Sequence, residues 1–81
     1  MKLEDVRKEI DALDPQIKTL ILRRMDCSLE VAKAKQAAGE TTIYRRDREK
    51  AILDRLGADV PADRLSEYLA VVRKIMETSR M

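Results

Sequence analysis

LEDVRKEIDALDPQIKTLILRRMDCSLEVAKAKQAAG, residues 3–39, decides the fold of this chain. Its seam positions recur with alternating spacings of three and four: Leu3, Val6, Ile10, Leu13, Ile17, Leu20, Arg24, Cys27, Val31 and Ala34. Such spacing marks one long amphipathic helix. Pro15 lacks an amide and its ring clashes with the preceding turn, so Asp14-Pro15 allows either a kink in one helix or the N-cap and N1 of a second. The heptad phase passes through Pro15 without a slip, which favours a single kinked helix from Leu3 to Ala38, capped at its C-terminus by Gly39.

Arg24 sets a guanidinium on that seam where a hydrophobe is expected. Lys35, eleven residues on, is rotated to within roughly 20° of it and lies about 16 Å further along the axis. A buried cation costs stability unless something anionic meets it. Two cations facing one way therefore predict a small, multiply charged anion bound between helices. The plainer readings are an Arg that fixes register by pairing with a Glu across a bundle, and a Lys that is solvated surface.

Composition limits the chemistry available. The chain has 81 residues, 40% of them charged and 2% aromatic, with no Phe, no Trp and one Cys. A single core in a chain of this size contributes about 3–5 kcal/mol, so oligomerisation is the expected remedy. Cys27 has no internal disulfide partner and there is no signal peptide or long apolar run, which predicts a cytoplasmic protein without a membrane segment. Seventeen basic against 15 acidic residues leave a net charge of +2, which argues against a nucleic-acid partner. With no His and no Cys/His cluster, imidazole catalysis and a zinc site are both excluded.

Two shorter helices follow a loop over Gly39 to Tyr44. The second is expected from Arg46 to Leu56, stopped by Gly57, and the third from Pro61 at N1 to the chain end. Glu49, Ile52, Leu53 and Leu56 form the inward stripe of the second helix, so Glu49 heads a buried face beside Arg48. Leu65, Leu69, Val72, Ile75, Met76 and Ser79 form the stripe of the third, with a hydroxyl at its inner end. Glu49 near a helix start can also simply favour the helix dipole. Cys27 reads as a small core residue, and Met25 and Met76 as gap fillers. Arg24, Lys35, Arg48, Glu49 and Ser79 converge only if the helices fold back on one another.

Val6-Arg7-Lys8-Glu9-Ile10-Asp11-Ala12-Leu13-Asp14, Arg23-Arg24-Met25, Val31-Ala32-Lys33-Ala34-Lys35 and Ile43-Tyr44-Arg45-Arg46-Asp47-Arg48-Glu49 occur in order over most of the chain. In this the sequence resembles the all-helical chorismate mutases. The resemblance implies an all-α, three-helix protomer with a long first helix, assembled as an intertwined homodimer with two sites built from both chains. It also implies conversion of chorismate to prephenate, with no cofactor and no metal. Arg24, together with Arg7 from the partner chain, would clamp the two carboxylates. Lys35 would donate to the ether oxygen, Glu49 would receive the ring hydroxyl, Ser79 would lie near a ring carboxylate, and Arg48 would support the same cationic pocket. Arg7 and Arg24 are seventeen residues apart, roughly 25 Å along one helix, too far for one small ligand to bridge unless an antiparallel partner helix brings Arg7 close.

That chemistry suits a chain without a nucleophile or histidine. A Claisen rearrangement is intramolecular, so the protein need only hold a compact conformer and stabilise charge as it develops. The chain departs from the family at Arg45, where an acidic residue is common, in a loop one residue longer than in some members. It also stops at Met81, before the position expected to carry a Gln or Glu one turn after Ser79. Residues 1–81 are thus expected to form a domain that is either the N-terminal part of a longer fused protein or short of one donor. Other readings are an isochorismate pyruvate lyase of the same fold, a non-catalytic metabolite-sensing domain, and a plain helical adaptor in which Arg24 is an ion-pair residue.

Overall fold

The computed structural model describes residues 2–39 and 46–79, which form three helices: α1 (Leu3–Ala37), α2 (Arg46–Gly57) and α3 (Ala62–Thr78). Most of the expected loop after Gly39, Arg45 and the last two residues lie outside them. α1 is a single helix through Pro15. In the turns around the proline, the Gln16 side-chain amide donates to the Ala12 carbonyl at 3.1 Å and the Thr19 hydroxyl to the Pro15 carbonyl at 3.0 Å. Glu4 and Asp5 in its first turn and Lys35 in its last complement the helix dipole. It ends one residue earlier than expected, with Ala38 as C-cap and Gly39 following at φ +74°, a left-handed conformation that suits a residue without a Cβ.

Pro61 is the N-cap of α3 rather than its first helical residue, because its ψ of 141° is extended. α3 stops at Thr78 instead of continuing to the chain end, with Ser79 as its C-cap. α2 and α3 pack against each other. At Gly57 an added Cβ would lie 3.1 Å from Leu65 Cδ1 and 3.3 Å from Leu69 Cδ2, so the absence of a side chain permits their close approach. Val72 and Met76 are the buried hydrophobes among the described residues, and both lie on α3. Ile52, Leu53 and Leu56 of α2 are half-buried, on the stripe expected for them.

α1 differs from this pair: none of its 35 residues is buried. Every described residue from Lys2 to Leu20 is exposed, and on the seam Leu3 is 64%, Ile17 52% and Leu20 61% accessible. Cys27 and Met25, expected in a core, are also exposed: they lie about 160° apart around α1, and no described residue buries either of them. The molecule measures 55 × 26 × 16 Å, and its long dimension is close to the ~52 Å of a 35-residue helix. The radius of gyration is 16.2 Å, against about 12 Å for a compact chain of this length. The accessible surface is 7062 Å², roughly 2,000 Å² more than a folded monomer of 9.3 kDa normally exposes.

Candidate functional site

The C-terminal half of α1 carries a second stripe beside the apolar seam. Ile21, Arg24, Ser28, Ala32 and Lys35 are its half-buried residues, spaced three or four apart and within about 80° of one another. Arg24 belongs to both faces. The end of α3 meets α1 at this residue: Arg24 Nη1 donates to Ser79 Oγ at 2.7 Å, across 55 residues of sequence. The partner that the sequence led one to expect for Arg24 was anionic; the one observed within the chain is a hydroxyl. Ser28 does not extend the contact, because its hydroxyl donates at 3.2 Å to the Arg24 carbonyl one turn back.

The Ser79 hydroxyl is set by the last turn of α3. The Ser79 amide bonds to the Met76 carbonyl at 3.3 Å, a short i→i−3 closure, instead of reaching Ile75. Ile75 carbonyl then accepts from two side chains, Ser79 Oγ at 2.7 Å and Thr78 Oγ1 at 3.1 Å. Thr78 Oγ1 also reaches the Lys74 carbonyl at 2.9 Å and Ser79 Oγ the Met76 carbonyl at 3.4 Å. The Ser79 hydroxyl thus supplies the Ile75 carbonyl with a donor in place of the Ser79 amide. Ser79 both closes α3 and ties it to Arg24.

The other expected site residues fall into three groups. Lys35 shares the inward stripe with Arg24 and is half-buried. Glu49 is half-buried at the start of α2, where it, Arg46 and Asp47 are all engaged with partners, while Arg48 is exposed. Arg7 is exposed on the free half of α1, on the far side of Pro15 from Arg24. Arg45 lies outside the described residues. The contact drawn among the expected residues is therefore Arg24 with Ser79. Sequence reasoning missed the Ile75 carbonyl, which no side-chain pattern could reveal, and it missed Ser28 and Ala32, which the spacing from Ile21 to Lys35 does contain.

A shallow open depression lined by Pro15, Gln16, Thr19 and Leu20 has no charged side chain with which to hold an anion. Among the described residues, no three Cys, Asp or Glu side chains group to hold a metal, and no helix is long and apolar enough to cross a membrane. The cationic stripe where α1 meets the end of α3 is the feature with binding chemistry.

Comparison with known proteins bears on what that stripe serves. The family described as Chorismate mutase type II matches residues 6–81. The chain is 36% identical over 61 residues to proteins named intracellular chorismate mutase from Mycobacterium bovis and Mycobacterium tuberculosis, covering 72% of this chain and 57% of each relative. A protein of the same name from Mycolicibacterium smegmatis is 37% identical over 54 residues, 67% of this chain and 51% of that one. The chain spans about half the length of the curated relatives it matches. No solved structure matches it. A match over nearly the whole chain, on an all-helical fold whose long helix carries the two cations, shows that this protein belongs to the type II chorismate mutase family.

Proposed function

We propose that this chain catalyses the rearrangement of chorismate to prephenate at a site formed around Arg24 and Lys35. One observation carries the reading: Arg24 stands where an apolar residue is expected, is half-buried, and is held by Ser79 on the stripe that also presents Lys35. Chorismate has two carboxylates and an ether oxygen. In the rearrangement the ether carbon–oxygen bond breaks as a carbon–carbon bond forms and the oxygen becomes a carbonyl, with no net proton transfer. Arg24 meets one carboxylate with its planar fork. Lys35 donates to the ether oxygen, where negative charge grows in the transition state, and Glu49 receives the ring hydroxyl. Arg48 adds positive charge to the same pocket. Arg45 belongs to it only through its nearness in sequence to Arg48 and Glu49.

The working unit of this proposal is a homodimer in which the seam of α1 is covered by the α1 of a second copy running antiparallel. The exposed seam and the roughly 2,000 Å² of excess surface support it, since stable obligate dimers bury about 1,000–2,500 Å² on each side. Antiparallel pairing carries Arg7 of the partner subunit toward Arg24, where it supplies the clamp for the second carboxylate. The test is to incubate the purified chain with chorismate and follow prephenate. Saturable formation supports the proposal, and its absence from folded protein rejects it. A parallel incubation with isochorismate, followed for pyruvate, separates a lyase from a mutase.

A further inference from the structure

Between Arg24 and Lys35 the inward stripe of α1 holds two small half-buried residues, Ser28 and Ala32, which differ by one oxygen. Ala32 fills its place with a methyl group, and Ala is also the better helix former, so neither space nor helix formation calls for a hydroxyl at Ser28. Its position is between the two cations. Along the axis Ser28 stands about 6 Å from Arg24 and about 10 Å from Lys35, rotated roughly 40° from the first and 20° from the second. Helical side chains lean toward the N-terminus, so the long Lys35 stem closes part of the larger gap. An anion that spans Arg24 and Lys35 therefore passes over Ser28. Asp26 and Glu30, the carboxylates of α1 nearest to it in sequence, are exposed and turned about 160° away.

The Ser28 hydroxyl is held loosely. It donates to the Arg24 carbonyl at 3.2 Å, longer than the ~2.5–3.0 Å usual for a bond between two oxygens. That carbonyl lies inside α1, where the Ser28 amide is its regular i→i−4 donor. The hydroxyl is a second donor to it, and its departure leaves no carbonyl unsatisfied. We infer that Ser28 is a further binding residue of the site: when an anion bridges Arg24 and Lys35, the Ser28 hydroxyl turns from the Arg24 carbonyl to an oxygen of the anion. This inference rests on the proposed site, and its ligand class is a small dicarboxylate. Arg24 and Lys35 reach such a ligand on long stems with many torsions. Ser28 has a single side-chain torsion before its oxygen, so it sets the height of the ligand along the helix at little entropic cost.

Prephenate, the product of the proposed reaction and itself a dicarboxylate, is the probe. Ser28→Ala should weaken prephenate binding in calorimetry and raise KM for chorismate, each about tenfold, the loss expected for a hydrogen bond to a charged group. Its Tm should equal or exceed that of wild type, because the Arg24 carbonyl keeps its amide donor and Ala favours the helix. A fall in Tm alongside the binding loss marks a structural hydroxyl and overturns the inference. The second readout is the carbonyl ¹³C shift of Arg24. Without prephenate, wild type and Ser28→Ala should differ there, since only one of them has the second donor. At saturation the difference should largely disappear, and a difference that persists means that the hydroxyl stays on the helix, which also overturns the inference. Chorismate turnover with prephenate affinity and KM unmoved by Ser28→Ala rejects this inference alone. Folded wild-type protein that neither converts chorismate nor binds prephenate rejects the proposed function and the inference with it.

Discussion

α1 and the α2–α3 pair solve the same problem differently. The short helices pack on each other and close up at a glycine, and the buried Val72 and Met76 lie on one of them. α1 has the longer stripe and covers almost none of it. Amphipathic periodicity thus states that a face must be covered without stating by what. In α2 and α3 the cover is local, while the described residues leave most of α1 bare and the proposed assembly covers it with a second copy. The candidate site sits on the boundary, where the last residue of the self-sufficient part touches the first inward charge of the dependent one.

The contrast predicts that the largest effect comes from charging the open seam. Ile17→Asp places a carboxylate in the proposed α1–α1 contact twice per dimer, at an uncompensated cost of several kcal/mol for each. At low micromolar concentration this variant should sediment as a monomer with much of its helical circular dichroism lost, whereas wild type sediments at twice the chain mass. A well-folded Ile17→Asp monomer would show that α1 needs no cover.

Next in size are changes at the boundary. Lys35→Ala should lower kcat about 10²–10³-fold with little change in KM, because in the proposed site Lys35 meets charge that develops only in the transition state. A change confined to KM would reassign Lys35 to ground-state binding. Refolding Lys35→Ala together with Arg7→Ala asks whether the dependent half of α1 serves the other chain. Half the dimers are mixed and each has one intact site, so roughly a quarter of wild-type activity should return. No recovery, with subunit exchange verified by mass, would place Arg7 in its own chain's site or outside any site.

Within the self-sufficient part effects should be smaller and local. Met76→Ala removes one of the two buried hydrophobes among the described residues and should lower stability by about 2–4 kcal/mol in urea titration, with the oligomeric state unchanged at concentrations where the protein stays folded. Dissociation without unfolding would mean that α3 also belongs to the contact between copies. The smallest effect belongs to the exposed pair on α2. Lys50 Nζ donates to Asp54 Oδ2 at 2.8 Å, and that hydrogen bond and the Asp54 charge raise the Lys50 pKa above its ordinary 10.5. The folded state holds this proton more tightly, so the contribution is complete below the ordinary value and is lost as pH rises through the raised one. Asp54→Asn should remove that alkaline dependence and shift Tm at neutral pH by no more than about 2 °C.

Helix boundaries were legible in the sequence to within about a residue where a residue with special backbone chemistry marks them. Gly39, Gly57 and Pro61 each do so, and the roles at Ala38, Gly57 and Pro61 each shift by a place, Gly57 being the last residue of α2 rather than the one after it. The stripe of α3 was legible from Leu65 to Met76, where α2, a neighbour in sequence, packs on the helix; Ser79 continues it and is half-buried, but its contact is with the distant Arg24. Cys27 and Met25 are exposed where a core is expected: the seam position of Cys27 marks an apolar helix face without saying what covers it, and Met25 stands off that seam, about 160° around the helix. Arg24 was legible as a misplaced charge, but not its neutral partner. That pairing requires α3 to stop at Thr78 and its final amide to slip by one carbonyl, details of hydrogen bonding that side-chain identity does not encode.

In the proposed dimer the uncovered stripe of α1 also gives the fold a concentration scale. When two chains complete one core, unfolding releases two molecules, and each tenfold dilution removes about 1.4 kcal/mol of stability per mole of dimer. The melting temperature then rises with protein concentration, and refolding becomes second order once pairing limits its rate. If the proposed sites are shared between two chains, catalytic output in dilute solution falls faster than the amount of protein, because dilution takes away the sites themselves.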